Sequence, residues 1–355
     1  MEARSAYYAP FRRVTLFGVK AVLTLIVITP LVAEASLRLL VLGISLEKPS
    51  SLQEFHPYQL LEGKISDGLT RFYRYEPNTE GKTYGHSFHV NRWGVRGRDF
   101  LERDQVGAEP FRIMVLGDAV TTGIGVAVED RYANILERRL QERYPSRKLE
   151  VIDLGVDGFE TVQELKMLRT MWSAVGPNIV VVGVFINDTN VTYDYDRPYK
   201  MPIPERLEPY FSHLLTVRLM EEPYDWLYRK MHKIPNWAEV LKRSLLRKSR
   251  DWKTFEESVQ DISNFVMTHT QKAPLAIYLY DTTLARKEWG YDQVRNTFLR
   301  YGFIWSEVIS DGYIPVSRFE GHPNERSHRA YADALFKTIV ARHLISDLPS
   351  QIVSK

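Results

Sequence analysis

The sequence predicts an α/β domain built on a parallel β-sheet and preceded by one N-terminal transmembrane helix. From Phe111 onward, short apolar segments alternate with segments of helical periodicity, which is the order typical of a parallel sheet covered by helices. One segment, 178–186, is apolar along its length, as expected of a strand buried on both faces. Near the N-terminus, a separate apolar run is long enough to cross a bilayer. The chain of 355 residues, 44% hydrophobic and 26% charged, suffices for one large globular domain.

The N-terminal apolar run covers residues 14–33 and contains one charged residue, Lys20. A helix of this length measures about 30 Å, the thickness of the hydrocarbon core of a bilayer. Three arginines precede the run, so the positive-inside rule keeps residues 1–13 cytoplasmic and predicts that the main domain is periplasmic or extracellular. Residues 34–43 continue the anchor as an amphipathic interfacial extension. The alternative is a signal peptide that is cleaved at residues 33–35.

Charge and cysteine content exclude several classes of function. The 47 basic and 44 acidic side chains give a net charge of +3, without the concentrated basic face that nucleic-acid binding requires. The densest basic run, 242–250, is interpreted as a solvated helix face or, alternatively, as a patch against anionic lipid headgroups. The absence of cysteine excludes disulfides and thiolate chemistry. His86 and His89 would point to opposite faces of a strand, and no metal or cofactor site is predicted.

The predicted elements follow one another in a regular order. Residues 44–110 connect the anchor to the domain and contain a short strand and a glycine turn at 88–97. In the domain, 111–355, we predict strands at 112–116, 149–154, 178–186 and 275–280 and helices at 129–144, 161–173 and 324–344. Residues of about 190–260 interrupt this alternation and are rich in Tyr, Pro, Trp and basic residues. They predict a helical insertion over the carboxyl ends of the strands, acting as a lid or a partner surface.

Four loops carry the polar residues of a candidate site. They are 117–126 (GDAVTTGIGV), 153–158 (DLGVDG), 185–188 (FIND) and 320–324 (EGHPN). The first three follow predicted strands and the fourth precedes the last helix. Because the carboxyl ends of parallel strands meet at one edge of a sheet, we expect these loops to lie together.

In this order and spacing, the loops resemble those of the SGNH (GDSL-like) hydrolases. That family has a GDS loop after the first strand, a glycine after the second, an Asn-Asp pair after the third and a late His with an acidic residue before it. The resemblance runs from about Phe111 to the C-terminus, and 91–97 (NRWGVRG) is similar to a segment of membrane-anchored members. It implies a flavodoxin-like three-layer α/β fold. The family includes esterases, lipases, thioesterases and carbohydrate deacetylases, so the fold does not name a substrate.

The resemblance assigns roles to five positions. Gly158 and Asn187 would donate N–H groups to an oxyanion. His322 would be the general base, and Glu320 would orient its imidazole. The nucleophilic hydroxyl belongs at position 119, which here is Ala119. A chain that lacks one triad member loses orders of magnitude in rate, so we expect this one to be inactive as written.

Two further departures accompany the missing hydroxyl. Glu320 stands two residues before His322 where an Asp is common, and Asp153 stands where family members often have Asn. The hydroxyls at 121–122 lie too far past the strand end to replace a serine at 119. Structural roles are also open for two residues, since His322 is able to pack under the last helix and Asn187 to hold a turn.

Two functional hypotheses follow. In the first, the chain is a non-catalytic binding or scaffold subunit at the outer face of a membrane. Its partners are then lipid around the N-terminal helix, other subunits of a membrane complex, and a glycan or acyl ligand. In the second, it is an ester hydrolase, deacetylase or O-acyltransferase acting on envelope glycan or lipid, with an introduced Ser-to-Ala change at 119. The codon at this position in the native gene distinguishes them.

Overall fold

The computed structural model describes residues 28–29, 31–37, 39, 58–64, 71–106, 110–190, 203, 206, 214–308, 313–317 and 320–346. The chain divides into two compact units, one formed by 1–49 with 195–236 and a larger one formed by 50–194 with 237–355. Most of the predicted membrane run, including 14–27, lies outside the described residues. Among the residues that are described, no helix has the length and apolar character needed to cross a membrane.

Four short strands precede the main sheet of the larger unit. β1 (Tyr58–Lys64) pairs antiparallel with β2 (Arg71–Tyr75), and β3 (Glu80–Thr83) pairs antiparallel with β4 (His86–His89). Apolar side chains of this region are buried in the main hydrophobic cluster: Phe72, Tyr75, Phe88, Val90 and Val95. The region predicted as a connection therefore contributes to the core of the larger unit.

The remaining elements are named here in chain order. They are β5 (Phe111–Leu116), α1 (Ala119–Thr122), α2 (Tyr132–Arg143), β6 (Leu149–Asp153), α3 (Thr161–Val175), β7 (Ile179–Val184), α4 (Leu215–His232), α5 (Trp237–Ser244), α6 (Arg250–Thr270), β8 (Leu275–Tyr278), α7 (Thr282–Glu288), α8 (Tyr291–Arg300), β9 (Ile304–Ser306), β10 (Pro315–Ser317), β11 (Glu320–Pro323) and α9 (Glu325–Ala341). Of these, α4 belongs to the smaller unit.

The main sheet has five parallel strands in the order β6-β5-β7-β8-β9. Counted from β5, this is the order 2-1-3-4-5 of flavodoxin-like folds, in which ligands bind where the strand order reverses. The reversal lies between β5 and β7. The prediction of an α/β fold on a parallel sheet is confirmed.

Helices cover both faces of this sheet because alternate strand residues point to opposite sides. Met114, Val180 and Ala276 join the apolar side chains of α3 and α6 on one face. Ile113, Val181 and Ile277 join those of α2 and α9 on the other. Helix α6 begins at Arg250, inside the predicted insertion, and buries Trp252, Phe255 and Val259 in the core.

The basic run 242–250 is not one helix face. It spans the end of α5, a turn and the start of α6. Within it, Ser244 is buried and its hydroxyl lies 2.8 Å from that of Thr189, while Lys242 stacks over the ring of Trp289 at 5.5 Å. The other basic side chains of the run, Arg243, Arg247, Lys248 and Arg250, are exposed, in agreement with a solvated surface.

The smaller unit contains the helical residues 31–37 and α4. Glu34 is buried, and its Oε2 accepts hydrogen bonds from both the backbone N–H and the hydroxyl of Thr216, each at 2.9 Å. Near the other end of α4, Arg229 pairs with Asp225 at 2.7 Å and donates to the carbonyl of Pro235 at 3.2 Å. These contacts fix both ends of the helix within its unit.

Candidate functional site

The first site loop turns sharply at the carboxyl end of β5. Gly117 has φ +155°, and a Cβ there would lie 2.0 Å from the hydroxyl oxygen of Thr121, so only glycine fits. The Asp118 carboxylate then caps α1 by accepting from the N–H of Val120 at 2.9 Å. Ala119 is the first residue of α1 and is buried. The position that the resemblance gives to a nucleophile thus holds a methyl group.

The neighbouring hydroxyls are directed into the core. The Thr121 hydroxyl lies 2.8 Å from the Tyr132 hydroxyl, and both residues are fully buried. Thr122 is fully buried as well. The Thr121 hydroxyl already has a buried partner and Thr122 is fully buried, so the structure agrees with the expectation that neither threonine replaces a serine at 119.

Arg96 holds the far end of this loop from the turn at 91–97. Its guanidinium donates to the carbonyl oxygens of Gly123 and, at 2.9 Å, Val126, and also to that of Ser87 in β4 at 2.7 Å. Burial, together with the nearby Arg131, lowers the pKa of Arg96 to about 9, so the group still carries its charge at neutral pH. One buried cation therefore ties the residues after α1 to the β3–β4 hairpin.

The turn that carries Arg96 is itself fixed by an asparagine. The Asn91 side chain accepts from the N–H groups of Trp93 and Val95 and donates to the carbonyl of Arg98 at 2.9 Å. Gly94 has φ +72°, and a Cβ there would lie 2.7 Å from the carbonyl oxygen of Tyr75. Asn91 and Gly94 are thus required by the turn geometry.

A buried ion pair joins the first and second loops. Arg131 lies 3.2 Å from Asp153, and it also donates to the carbonyl of Arg96 at 3.0 Å. The other carboxylate oxygen of Asp153 accepts from the N–H of Gly155 at 2.9 Å. Burial raises the pKa of Asp153 while Arg131 opposes the shift. The ion pair explains why an Asp stands at 153 instead of an Asn, because a neutral Asn would leave Arg131 without its counter-charge.

The second and third loops place their candidate donors near the same edge. Gly158 has φ +72°, in the left-handed region, and the loop before it hydrogen bonds to the first loop through Val156 N–H and the Gly117 carbonyl at 3.1 Å. Asn187 is buried in the turn after β7, and among the described residues nothing donates to its Oδ1. The turn is closed by Asp188, whose carboxylate accepts from Phe185 N–H at 2.9 Å.

Three carboxyl groups are buried behind this edge, a feature that the sequence analysis did not predict. Glu164 in α3 is fully buried, and no described residue donates to either of its carboxylate oxygens. Burial raises the pKa values of Glu164 and Asp188 well above their ordinary values, and repulsion from Asp188 adds to the shift of Glu164. Asp118 contributes to both shifts. The signal in the sequence was Glu164 itself, a charged residue within an otherwise apolar helix stripe.

The fourth loop forms a hairpin of β10 and β11 that packs against α1. Val316 of β10 lies against Gly125, where a Cβ would come within 2.6 Å of it. His322 of β11 is half-buried and near Asp118. Burial raises the pKa of Asp118 to about 7, and the His322 imidazole opposes this shift. Glu320 pairs with Ser317 through its backbone in the same hairpin, and its side chain lies outside the description.

A second histidine, His328, lies in the core instead of the site. It is fully buried, its Nδ1 accepts from the N–H of Tyr132 at 3.2 Å, and its ring stacks on that tyrosine. Burial lowers its pKa to about 3, so it is neutral at ordinary pH. It joins α2 to α9. Asn324 caps α9 by accepting from the N–H groups of Arg326 and Ser327.

The four loops thus meet at one edge of the larger unit, with Ala119, Asn187 and His322 around the strand-order reversal. Within the described part of the chain, no group of three or more His, Asp or Glu residues is arranged to hold a metal ion. Beside the methyl group of Ala119, the described loops carry the Asn187 amide, buried in the turn after β7, and the His322 imidazole of β11.

No protein-family model matches the sequence, and no curated protein matches it. Among solved structures, the chain is similar to TesA, with a TM-score of 0.40 and 9% identity over 66% of this chain and 99% of that chain. It is also similar to LAE5, an alpha/beta hydrolase enzyme from the metagenome of Lake Arreo, Spain, with a TM-score of 0.40 and 16% identity over 67% of this chain and 98% of that chain. A third is Axe2, an acetylxylan esterase from Geobacillus stearothermophilus, with a TM-score of 0.38 and 13% identity over 69% of this chain and 99% of that chain.

Proposed function

We propose that this chain is a membrane-anchored, non-catalytic binding or scaffold protein at the outer face of a membrane. Its cleft would recognise an acylated ligand, a carbohydrate or lipid ester, without hydrolysing it. Ala119 carries this proposal, because acyl transfer by this arrangement needs a hydroxyl at that position and the nearest hydroxyls are buried. The ligand class follows from the oxyanion donors, Gly158 and Asn187, which are suited to a carbonyl oxygen.

The second candidate is an ester hydrolase whose native residue at 119 is serine. In its favour, Gly158, Asn187 and His322 are retained at the sequence positions that the resemblance gives to the oxyanion donors and the general base. In that protein the serine hydroxyl would attack the ester carbonyl and pass its proton to His322. The leaving alcohol would take that proton, and a water activated by His322 would then release the acid and restore the serine.

The experiment that separates the candidates uses the full chain in detergent and p-nitrophenyl acetate. It compares the chain as written with Ala119→Ser and with the double variant Ala119→Ser/His322→Ala. The matched control is Ala127→Ser, which adds the same hydroxyl on the same loop away from the cleft. The non-catalytic proposal predicts no hydrolysis above background by the chain as written or by any of these variants. Turnover by Ala119→Ser that is absent from the double variant and from the control supports the ester hydrolase instead.

Hydrolysis by the chain as written that His322→Ala abolishes would overturn the non-catalytic proposal. Ligand recognition is tested separately, by calorimetric titration of a methyl alkylphosphonate, a charged mimic of the tetrahedral intermediate. We expect binding to the chain as written and weaker binding to Asn187→Ala. If no binding occurs at millimolar phosphonate, the cleft is not an acyl site and only the scaffold role survives.

A further inference from the structure

Exposed apolar side chains are concentrated in the smaller unit. Among the described residues, eight of the thirteen exposed large hydrophobic side chains belong to it: Ile28, Leu31, Val32, Leu39, Met220, Trp226, Leu227 and Met231. The described residues of this unit are far fewer than those of the larger one. A soluble surface does not ordinarily collect its apolar side chains in this way, and such a concentration marks a protein or membrane contact.

Helix α4 carries three of them on a single line. Met220, Leu227 and Met231 are separated by seven and four residues, so at 3.6 residues per turn they fall within about 40° of one another. They form the apolar stripe of α4. Arg229, which is buried and paired with Asp225, lies roughly opposite this stripe around the helix axis. Among the described side chains of α4, the paired Arg229 and Asp225 thus lie on one side of the helix and the exposed apolar stripe lies on the other.

The start of α4 is attached to the exit of the predicted membrane segment. Thr216 donates two hydrogen bonds to Glu34, which is the first residue after the apolar run 14–33. If that run crosses the bilayer, Glu34 stands at the interface. The first turn of α4 must then stand there too, since the two hydrogen bonds leave it no freedom to move away.

The flanks of the stripe have the chemistry of an interfacial helix. Trp226 is exposed about 100° around the helix axis from Leu227, with Lys230 between them. The Lys230 ammonium lies 4.7 Å from the centre of the Trp226 ring. Tryptophan is enriched at the level of lipid headgroups, and lysine beside it suits anionic headgroups. Lys230 and Lys233 are both exposed near the end of the helix.

We propose that α4 lies in the plane of the outer membrane–water interface with its apolar stripe in the lipid. This inference rests on the membrane anchoring in the proposed function. The apolar stripe then contacts lipid, so α4 is a second membrane contact besides the predicted anchor. It also restricts rotation of the smaller unit about that anchor, because a helix lying flat on the surface cannot turn freely.

The absence of cysteine allows a direct test. Leu227→Cys and Met231→Cys each introduce a single thiol for an environment-sensitive NBD label on the stripe. Met267→Cys is the matched control, an exposed methionine on α6 in the larger unit. The full chain is reconstituted into vesicles of phosphatidylcholine and phosphatidylglycerol, with and without headgroup-level nitroxide lipid.

We expect a blue shift and nitroxide quenching for the labels at 227 and 231, and an aqueous spectrum for the label at 267. If the chain co-floats with the vesicles but the labels at 227 and 231 keep an aqueous emission spectrum, the chain is membrane-anchored and this inference fails. A blue shift without nitroxide quenching means that protein covers the stripe, which also overturns it. If the chain does not float with the vesicles, membrane anchoring itself fails, and the inference fails with it.

Discussion

Replacing Arg96 with methionine should destabilise the larger unit strongly, although the residue lies far from Ala119 in sequence. Met keeps the length of the side chain and removes its donors. The buried carbonyl oxygens of Gly123 and Val126, and the partly exposed one of Ser87, would then lose the donor that Arg96 supplies. The loop that follows α1 would lose its attachment to the β3–β4 hairpin.

The magnitude follows from the number of orphaned acceptors. Each buried polar group left without a partner costs about 1–3 kcal/mol. The variant also removes a desolvated cation beside Arg131, a change that stabilises the folded chain and offsets part of the loss. We therefore expect the free energy of unfolding to fall by about 3 kcal/mol in Arg96→Met.

The matched control is Arg98→Met, two residues away in the same turn. Arg98 is exposed and pairs with Glu137 at 2.7 Å. Exposed ion pairs contribute at most about 1 kcal/mol, so this variant should change stability little. The assay is urea unfolding of the full chain in detergent, followed by tryptophan fluorescence. If Arg96→Met lowers the unfolding midpoint no more than Arg98→Met, the loop does not depend on Arg96 and the reasoning is wrong.

Three further predictions concern titration and capping. Burial raises the pKa of Asp118 to about 7, so the folded state binds this proton more tightly than the unfolded state does. The free energy of unfolding therefore falls as pH rises from about 4 to about 7. Asp118→Asn should make this dependence less steep, as measured by urea midpoints across that range; an unchanged slope would exclude Asp118 as its source. Glu164→Gln should stabilise the chain at pH 8 more than at pH 5, because it removes a buried carboxyl group whose charged form is unfavourable. Equal shifts of the urea midpoint at the two pH values would contradict this. Asn324→Ala should lower stability by about 1 kcal/mol by removing the cap of α9, whereas Asn324→Asp should retain the cap, and thermal unfolding of the two variants side by side is the measurement.

The parallel strands were predictable because burial on both faces leaves a continuous apolar run, as at 178–186. β9 was not, since Ile304–Ser306 is too short for periodicity to be visible and two of its three residues are only half-buried. Helix α8 did carry a signal that was overlooked. Tyr291, Val294 and Phe298 are buried at helical spacing after Gly290, and this spacing would have predicted a helix between β8 and the last helix.

The residues of the candidate site were likewise only partly predictable from the sequence. The sequence predicts Ala119, Gly158, Asn187 and His322 as candidates because each follows or precedes an element in a characteristic order. The groups that hold them were not found, because their partners are distant in sequence or belong to the backbone. Arg131 meets Asp153 across 22 positions.

The turn at Ala119 is held by groups other than the side chain at 119. Its entry depends on the missing Cβ of Gly117, its cap on Asp118, and its far end on the guanidinium of Arg96. We therefore expect an exchange between serine and alanine at 119 to leave folding almost unaffected, so that under the proposed function its consequence would be chemical. Selection on this position would then act on activity and not on stability. A gene copy that is no longer selected for activity could acquire alanine there with almost no loss of folded protein.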